Sequence, residues 1–319
     1  MSDDTTKTNK GLNAQLSTLK PKTKPPASMA ILNKWIAQAE QALGTELKGG
    51  RLGWLIASSV AIAAVQRAVD ASGNQLFMVK GGTLLLYRLN TVTRPTKDVD
   101  GMIRGDLNEF FEKLDDVLEE PWGPLELRRG EVKTIEVPNK IIKPSRFEMT
   151  ISFKGATWRK IVFEVSPDEA GIGKEPEELT PPALHAVGLP DPETMVGIAL
   201  RFQIAQKLHA ASGPHDPPDY RNDRARDVVD LMLLRRLADE TGSPTLPEIR
   251  AAAAELFRAR SEESMKLGFA AREWQCEITA YPHWTEDYLA AAKSANITDS
   301  LDDAVAAVNS WICEIDEAQ

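Results

Sequence analysis

One stretch of the 319-residue chain, residues 78–102, constrains the fold more than any other. A short apolar segment predicts a buried strand that runs into the turn Lys80-Gly81-Gly82-Thr83, and Leu84–Leu89 predicts a helix after it. A Gly-Gly turn lets the backbone approach a ligand closely, because glycine has no Cβ. The free N–H groups at the start of a helix favour an anion such as phosphate. The turn therefore predicts a phosphate-binding site, to which the Thr83 hydroxyl adds a donor.

Two aspartates, Asp98 and Asp100, follow near the end of this stretch and are separated by one residue. On a strand, alternate side chains share a face, so both carboxylates are expected to point the same way. Two carboxylates on one face repel each other unless a cation lies between them. Hard divalent ions such as Mg²⁺ prefer oxygen ligands and usually add substrate phosphate oxygens. The alternative is a turn followed by a surface strand with two solvated aspartates.

A third carboxylate, Glu164, lies within the strand-like segment Lys160–Ser166, whose other face is formed by apolar side chains. A single carboxylate inside an apolar strand is costly to bury unless it has a partner or a cation. Glu164 is therefore a candidate for holding a cation or for pairing with a positive side chain. The alternative is an edge-strand glutamate that faces water, and Asp168 and Glu169 in the following turn are further candidates.

Two helix-like segments in the second half of the chain carry charges of interest. Lys207 lies near the end of a helix predicted over Pro192–Ser212, and its compact charge on a long stem suits a phosphate oxygen. The alternative is a solvated helix lysine. In the next predicted helix, Asp227 lies three residues before Asp230, so the two share a helix face. One of them is expected to pair with Lys207 or Arg224 and the other to cap the start of the helix, and Asp227 is favoured as the functional one.

The order of these motifs resembles a known family. GG[ST] followed, after a helix, by DxD is the signature arrangement of the nucleotidyltransferase superfamily. The local sequence also resembles the AbiEii/AbiGii nucleotidyltransferase toxins of bacterial toxin–antitoxin and abortive-infection systems, through the residues KGGTLLLYRL…RPTKDVD. The A-x-K-L-x-A pattern around Lys207 and the R-x-R-D-x-x-D-L pattern from Arg224 resemble the second half of the same family. Where Glu164 stands, the family usually has an aspartate.

The resemblance implies transfer of a nucleoside monophosphate from an NTP, with pyrophosphate as the leaving group. It implies Mg²⁺ as the cofactor, with two ions held by Asp98, Asp100 and Glu164. The catalytic residues that it implies are Asp98, Asp100, Glu164, Lys207 and Asp227. The nucleotide contacts that it implies are Lys80, Gly81, Gly82, Thr83 and Arg224, with Arg94 as a further candidate.

The resemblance also implies a toxin with a cognate antitoxin protein, and some members of the family add nucleotides to the 3′ end of tRNA. The expected acceptor is therefore the 3′ end of an RNA, in the first place tRNA. The alternatives are transfer to a protein, such as the antitoxin, and a non-catalytic nucleotide-binding module. The three carboxylates argue against a pure binding module, because such a module has no need of paired metal ligands.

Composition limits the class of protein and its compartment. A net charge of −9 argues against a protein that coats DNA, but an enzyme that acts on an RNA end needs only a local basic groove. The spacing of Cys276 and Cys313 indicates neither a zinc site nor a disulfide framework, so a reducing cytoplasm is expected. The longest uncharged segment, Leu52–Gln66, has 15 residues and is shorter than a membrane span of about 20 residues.

The elements predict an α+β fold in two parts, with the active site in the cleft between them. Residues 1–28 are polar and are expected to form a flexible tail. Residues 29–175 are expected to form a nucleotidyltransferase core, a short mixed sheet with helices. The Pro- and Gly-rich residues 167–192 are expected to connect it to a mostly helical C-terminal domain, residues 192–319.

Overall fold

The computed structural model describes residues 16–44, 50–89, 96–137 and 140–318. The helices are α1 (Met29–Leu43), α2 (Arg51–Val65), α3 (Gly81–Arg88), α4 (Leu107–Leu118), α5 (Leu200–Ala211), α6 (Ala225–Thr241), α7 (Leu246–Lys266), α8 (Thr285–Ser294) and α9 (Leu301–Glu317). The strands are β1 (Phe77–Val79), β2 (Asp98–Ile103), β3 (Leu125–Arg129), β4 (Lys133–Thr134), β5 (Ser145–Phe153), β6 (Ala156–Pro167), β7 (Pro176–Leu179) and β8 (Met195–Ile198). None of the described helices has the length and apolarity to cross a membrane.

The strands form one mixed sheet in the order β3-β5-β6-β2-β1-β8-β7, with β4 paired to β5. The central pair β2 and β6 is parallel, and β1 runs antiparallel to β2 and parallel to β8. The outer pairs, β3 with β5, β5 with β6 and β7 with β8, are antiparallel. A mixed sheet followed by helices confirms the predicted α+β class.

The helix predicted over Pro192–Ser212 is wrong in its first part. Met195–Ile198 forms β8 beside β1, and helix α5 begins only at Leu200. All four residues of β8 are buried, so the strand is an unbroken apolar run without the alternation of a half-exposed strand. Such a run cannot be told from a buried helix by periodicity alone.

Two further segments also differ from expectation. Within residues 167–192, expected to be only a connection, Pro176–Leu179 forms the edge strand β7. In the expected flexible tail, residues 1–15 lie outside the described part of the chain. Leu16 is buried, and the Lys22 N–H donates to the His185 carbonyl at 3.0 Å. The tail from residue 16 onward therefore packs against the folded chain.

Two hydrophobic clusters stabilise the fold. The first lies against the sheet and includes the stacked rings of Phe147 and Phe163, 5.1 Å apart between centroids. The second joins the helices from α5 onward and contains the buried side chains of Trp284 and Trp311. Helix α3 lies between the clusters, because its Leu84 belongs to the first and its Leu85 to the second. The turn that precedes α3 is thus fixed by both halves of the molecule.

Candidate active site

The three predicted carboxylates lie on two neighbouring parallel strands. In the register of β2 and β6, Asp98 is opposite Val162 and Asp100 is opposite Glu164. Residues that pair in this way point to the same face of the sheet. Val99 and Phe163, which point to the other face, are fully buried. The strand alternation therefore leaves all three carboxylates on the face opposite to the main core.

The Gly-Gly turn lies directly against the two aspartates. The Lys80 N–H donates to the Asp100 carbonyl, and the Thr83 hydroxyl donates to the Asp98 carbonyl, each at 2.9 Å. Gly81 has a positive φ of 63°, and a Cβ at this position would collide with the Asp100 carboxylate. The chain requires glycine here both for its backbone conformation and for the approach of Asp100.

The two aspartates are poorly compensated. Burial raises the pKa of Asp100, Glu164 and Asp98 raise it further, and Lys80 and Lys207 oppose the shift. Burial also raises the pKa of Asp98, again with a contribution from Glu164. Glu164 therefore disfavours ionisation of both aspartates, and a divalent cation would relieve this repulsion. Carboxylate oxygens are the ligands that Mg²⁺ prefers, so the donor set fits the ion.

Glu164 forms an ion pair with an arginine of the neighbouring strand. Its carboxylate accepts hydrogen bonds from the Arg146 guanidinium, with Nε at 2.9 Å, across the β5–β6 pair. Accordingly, over the described ranges no group of three or more His, Cys, Asp or Glu side chains is arranged to hold a metal ion. The pair Asp98 and Asp100 alone fits a cation, with substrate oxygens completing its shell.

Lys207 forms buried ion pairs with two aspartates of the next helix. Its Nζ donates to Asp227 at 2.9 Å and to Asp230 at 2.6 Å, and all three side chains are buried. The expectation that only one of the aspartates pairs is wrong, because their shared helix face presents both carboxylates to the same ammonium. Arg224 lies 3.9 Å from Asp227 and is largely exposed.

Lys80 and Gln203 complete the surroundings of the turn. The Lys80 Nζ donates to the Ser166 hydroxyl at 2.6 Å. Burial lowers the pKa of this lysine, and the negative charges of Glu169 and Asp100 act in the opposite direction. Gln203, on α5, is buried and donates through Nε2 to the Gly81 carbonyl at 3.0 Å. Sequence reasoning missed Gln203, although it lies four residues before Lys207 on the same helix.

The other candidates lie elsewhere. The Glu169 carboxylate accepts hydrogen bonds from Arg260 at 2.6 and 2.9 Å, and the Asp168 carboxylate accepts the Gly173 N–H at 3.0 Å. Both carboxylates are therefore engaged away from Asp98. Arg94 lies outside the described residues.

A comparison with protein-family models agrees with the motifs. A family model described as "Nucleotidyl transferase AbiEii toxin, Type IV TA system" matches residues 63–308. Among solved structures, the chain is similar to MenT4, nucleotidyltransferase toxin Rv2826c from Mycobacterium tuberculosis H37Rv. That similarity has a TM-score of 0.46 and 14% sequence identity, and covers 91% of this chain and 97% of that chain. A comparison with curated proteins found no match.

Proposed function

The chain belongs to the AbiEii family of nucleotidyltransferase toxins, and from that premise we propose that it transfers a nucleoside monophosphate to the 3′ end of an RNA. The expected acceptor is tRNA, and the expected compartment is the cytoplasm. An NTP substrate and an antitoxin partner follow from the family. The finer assignment, an RNA acceptor and Mg²⁺ as the metal, is our proposal.

One observation carries this proposal: the Gly81 turn lies against the Asp98–Asp100 pair. The turn supplies the backbone N–H groups at the start of α3, which suit phosphate oxygens, while the Thr83 hydroxyl holds the turn to β2 through the Asp98 carbonyl. The aspartates supply carboxylate oxygens that repel each other without a cation. A phosphate-binding turn beside a cation site is the minimum that transfer of a nucleotide requires.

Asp98 and Asp100 would hold Mg²⁺, with two ions expected. Bound divalent ions stabilise the attacking and leaving oxygens of an in-line displacement at phosphorus. Carboxylates hold such ions only when they are ionised. The fields of Lys80 and Lys207 oppose the rise in the pKa of Asp100, so both lysines support the ionised form. In this proposal Lys207 acts through Asp100, because its ammonium is held by Asp227 and Asp230.

In the reaction, an acceptor hydroxyl oxygen bonds to the α-phosphorus of the NTP. The bond from that phosphorus to the oxygen bridging to the β-phosphate breaks, and pyrophosphate leaves with the electron pair. The hydroxyl proton passes to a carboxylate of the site, for which Glu164 is our candidate. Arg146 would have to turn away from Glu164 for this transfer, since its guanidinium donates to the same carboxylate.

The proposal is tested by incubating the protein with Mg²⁺, each of the four α-³²P-labelled NTPs and total bacterial RNA. We expect label in a tRNA-sized band on a denaturing gel, and none with Asp98→Ala/Asp100→Ala. Asp115→Ala/Asp116→Ala, which removes two exposed aspartates of α4, is the matched control. Label in a protein band would favour modification of a protein. Equal RNA labelling by both double variants would exclude the site.

A further inference from the structure

The face of the sheet that carries the three carboxylates continues outward beyond them. In the strand register, Asp100 is opposite Glu164, and Glu164 is opposite Arg146 of β5. Arg146 is in turn opposite Lys133 of β4. Residues paired in this way point to the same face, so the four side chains form one row across the sheet. Carboxylates occupy the inner end of this row, and cations occupy its outer end.

A second row of polar side chains crosses the same sheet. Thr150 of β5 is opposite Lys160 on one side and Arg128 on the other. Thr150 lies four residues after Arg146, so the strand alternation puts both rows on one face. Met149, which points the other way, is fully buried, whereas all four cations of the two rows are exposed. We refer to the solvent side of β3, β4, β5 and β6 as the outer face, with the cations Arg128, Lys133, Arg146 and Lys160.

Two of these cations have a carboxylate partner on the same face. Lys160 forms an ion pair with Glu148 at 2.7 Å, and Arg146 forms one with Glu164. Both cations stay accessible, since the side chains of Lys160 and Arg146 are 56% and 54% exposed. Exposed ion pairs of this kind are weak. A phosphate that reaches the outer face therefore competes readily for either cation.

The other two cations have no carboxylate partner. Across the described ranges of the chain, Arg128 and Lys133 form no ion pair. The remaining carboxylate of the outer face, Glu126, lies beyond Arg128 and opposite Ser152. The outer face thus carries four cations and three carboxylates, an excess of positive charge in a chain whose net charge is −9. Such a surface favours a polyanion.

The geometry of the proposed reaction determines the side from which an acceptor comes. The Gly81 turn and α3 lie on the β1 side of the aspartates, and Gln203 joins α5 to that turn. Phosphates held by the turn therefore extend away from β6. In an in-line displacement, the attacking and leaving oxygens lie on opposite sides of the phosphorus. The acceptor hydroxyl accordingly approaches from the β6 side, where Glu164 lies and the outer face begins.

We propose that the outer face binds the 3′-terminal strand of the RNA acceptor through its backbone phosphates. The inference rests on the proposed function and adds an acceptor-binding surface to it. The described side chains of this face are charged, hydroxyl-bearing or aliphatic, so they offer no ring on which a base could stack. Binding is therefore directed at the backbone and carries no sequence information. A phosphate bound by Arg146 draws its guanidinium away from Glu164 and leaves that carboxylate free for the hydroxyl proton.

The test measures binding of a fluorescein-labelled single-stranded RNA oligonucleotide to the full chain by fluorescence anisotropy, without NTP. Arg128→Met/Lys133→Met should weaken binding by about tenfold or more. It should also reduce the slope of log K against log salt by about 1.4, at about 0.7 for each lost phosphate contact. These two cations are chosen because their removal breaks no ion pair within the described chain, and circular dichroism checks that the variant is folded.

The matched control is Arg236→Met/Lys293→Met. Arg236 on α6 and Lys293 on α8 are also exposed, and among the described residues they too form no ion pair. The control lowers the net charge by the same amount as the test variant, so a general electrostatic effect would be equal in both. We expect the control to keep the original affinity and salt slope.

Unchanged affinity and salt slope in folded Arg128→Met/Lys133→Met would overturn the inference, as would equal losses in the test and control variants. If the full chain bound an acidic peptide through these two cations and bound no RNA, the outer face would serve a protein and the inference would be wrong. Oligo-A and oligo-U of one length should bind equally, and a preference above about tenfold would contradict binding through the backbone.

Failure of this inference can be told apart from failure of the proposed function. The anisotropy titration contains no NTP, so absence of RNA labelling would contradict the proposed function and leave the binding result standing. Conversely, RNA labelling by Arg128→Met/Lys133→Met with the original KM for RNA would overturn the inference while the proposed function stands.

Discussion

Two lysines act on Asp100, and they differ in what holds them. Lys207 donates to two buried carboxylates, at 2.9 and 2.6 Å. Lys80 donates to one hydroxyl at 2.6 Å and, within the described part of the chain, forms no ion pair. Both oppose the rise in the pKa of Asp100. The comparison shows that the partners of a lysine decide its role. An ammonium held by two buried carboxylates stabilises the fold, whereas one bonded to a single neutral hydroxyl can still bind a ligand.

The largest expected effect comes from removing the fixed lysine. Lys207→Met removes the buried ammonium that Asp227 and Asp230 share, so the free energy of unfolding should fall by about 3–5 kcal/mol. Urea denaturation followed by circular dichroism measures the change. Lys207→Met/Asp230→Leu should recover part of the loss. A loss no greater than that of an exposed pair, about 0–1 kcal/mol, would contradict the role of Lys207 in the framework.

Removing the weakly compensated lysine should act on the reaction instead. Lys80→Met should lower kcat/KM for nucleotide transfer by about 10²–10³-fold, the range found for loss of one well-placed donor. Its stability should change little, because the ammonium has only one neutral partner to lose. The control is Lys160→Met, which removes an exposed lysine paired with Glu148. If Lys80→Met transferred nucleotide at the original rate, the proposal that Lys80 acts in the reaction while Lys207 stabilises the fold would be wrong.

A substitution in the Gly81 turn should have a smaller effect on stability than the loss of Lys207. Gly81→Ala should cost about 1–2 kcal/mol of stability for its left-handed backbone, and its Cβ should also displace Asp100 and reduce transfer. Gly73→Ala has the same backbone problem, with φ at 84°, but its Cβ would meet nothing within 4 Å. Equal transfer rates in the two variants, measured with labelled NTP, would show that the approach of Gly81 to Asp100 is unimportant.

The smallest expected effect is a dependence on pH. The raised pKa values of Asp98 and Asp100 mean that the metal-free fold favours their protonated forms. Their contribution to stability is present below the unfolded pKa of about 3.9 and is lost as pH rises through the folded values. Mg²⁺ should therefore raise Tm more at neutral than at acidic pH, and Asp98→Asn/Asp100→Asn should remove this difference. A pH-independent increase in Tm would contradict the shifts.

The sequence predicted the parts of the site that depend on local order. The turn, the strand alternation of Asp98 and Asp100 and the face of Glu164 follow from spacings of one or two residues. Arg146 and Gln203 could not be predicted, because they reach their partners across 18 and 122 residues. Such contacts depend on strand register and on the docking of α5, which no short-range pattern encodes. The pairing of Lys207 with both aspartates was missed for the same reason.

The passage from β8 to α5 has a mechanical consequence. Ala199 is the only residue between Ile198, the last of the strand, and Leu200, the first of the helix that carries Lys207. Gln66 clamps the strand by bonding both the N–H and the carbonyl of Val196. A joint of one residue, anchored on both sides, leaves almost no torsional freedom to act as a hinge. We therefore expect the start of α5, the helix that bears Lys207, to move with the sheet as one body.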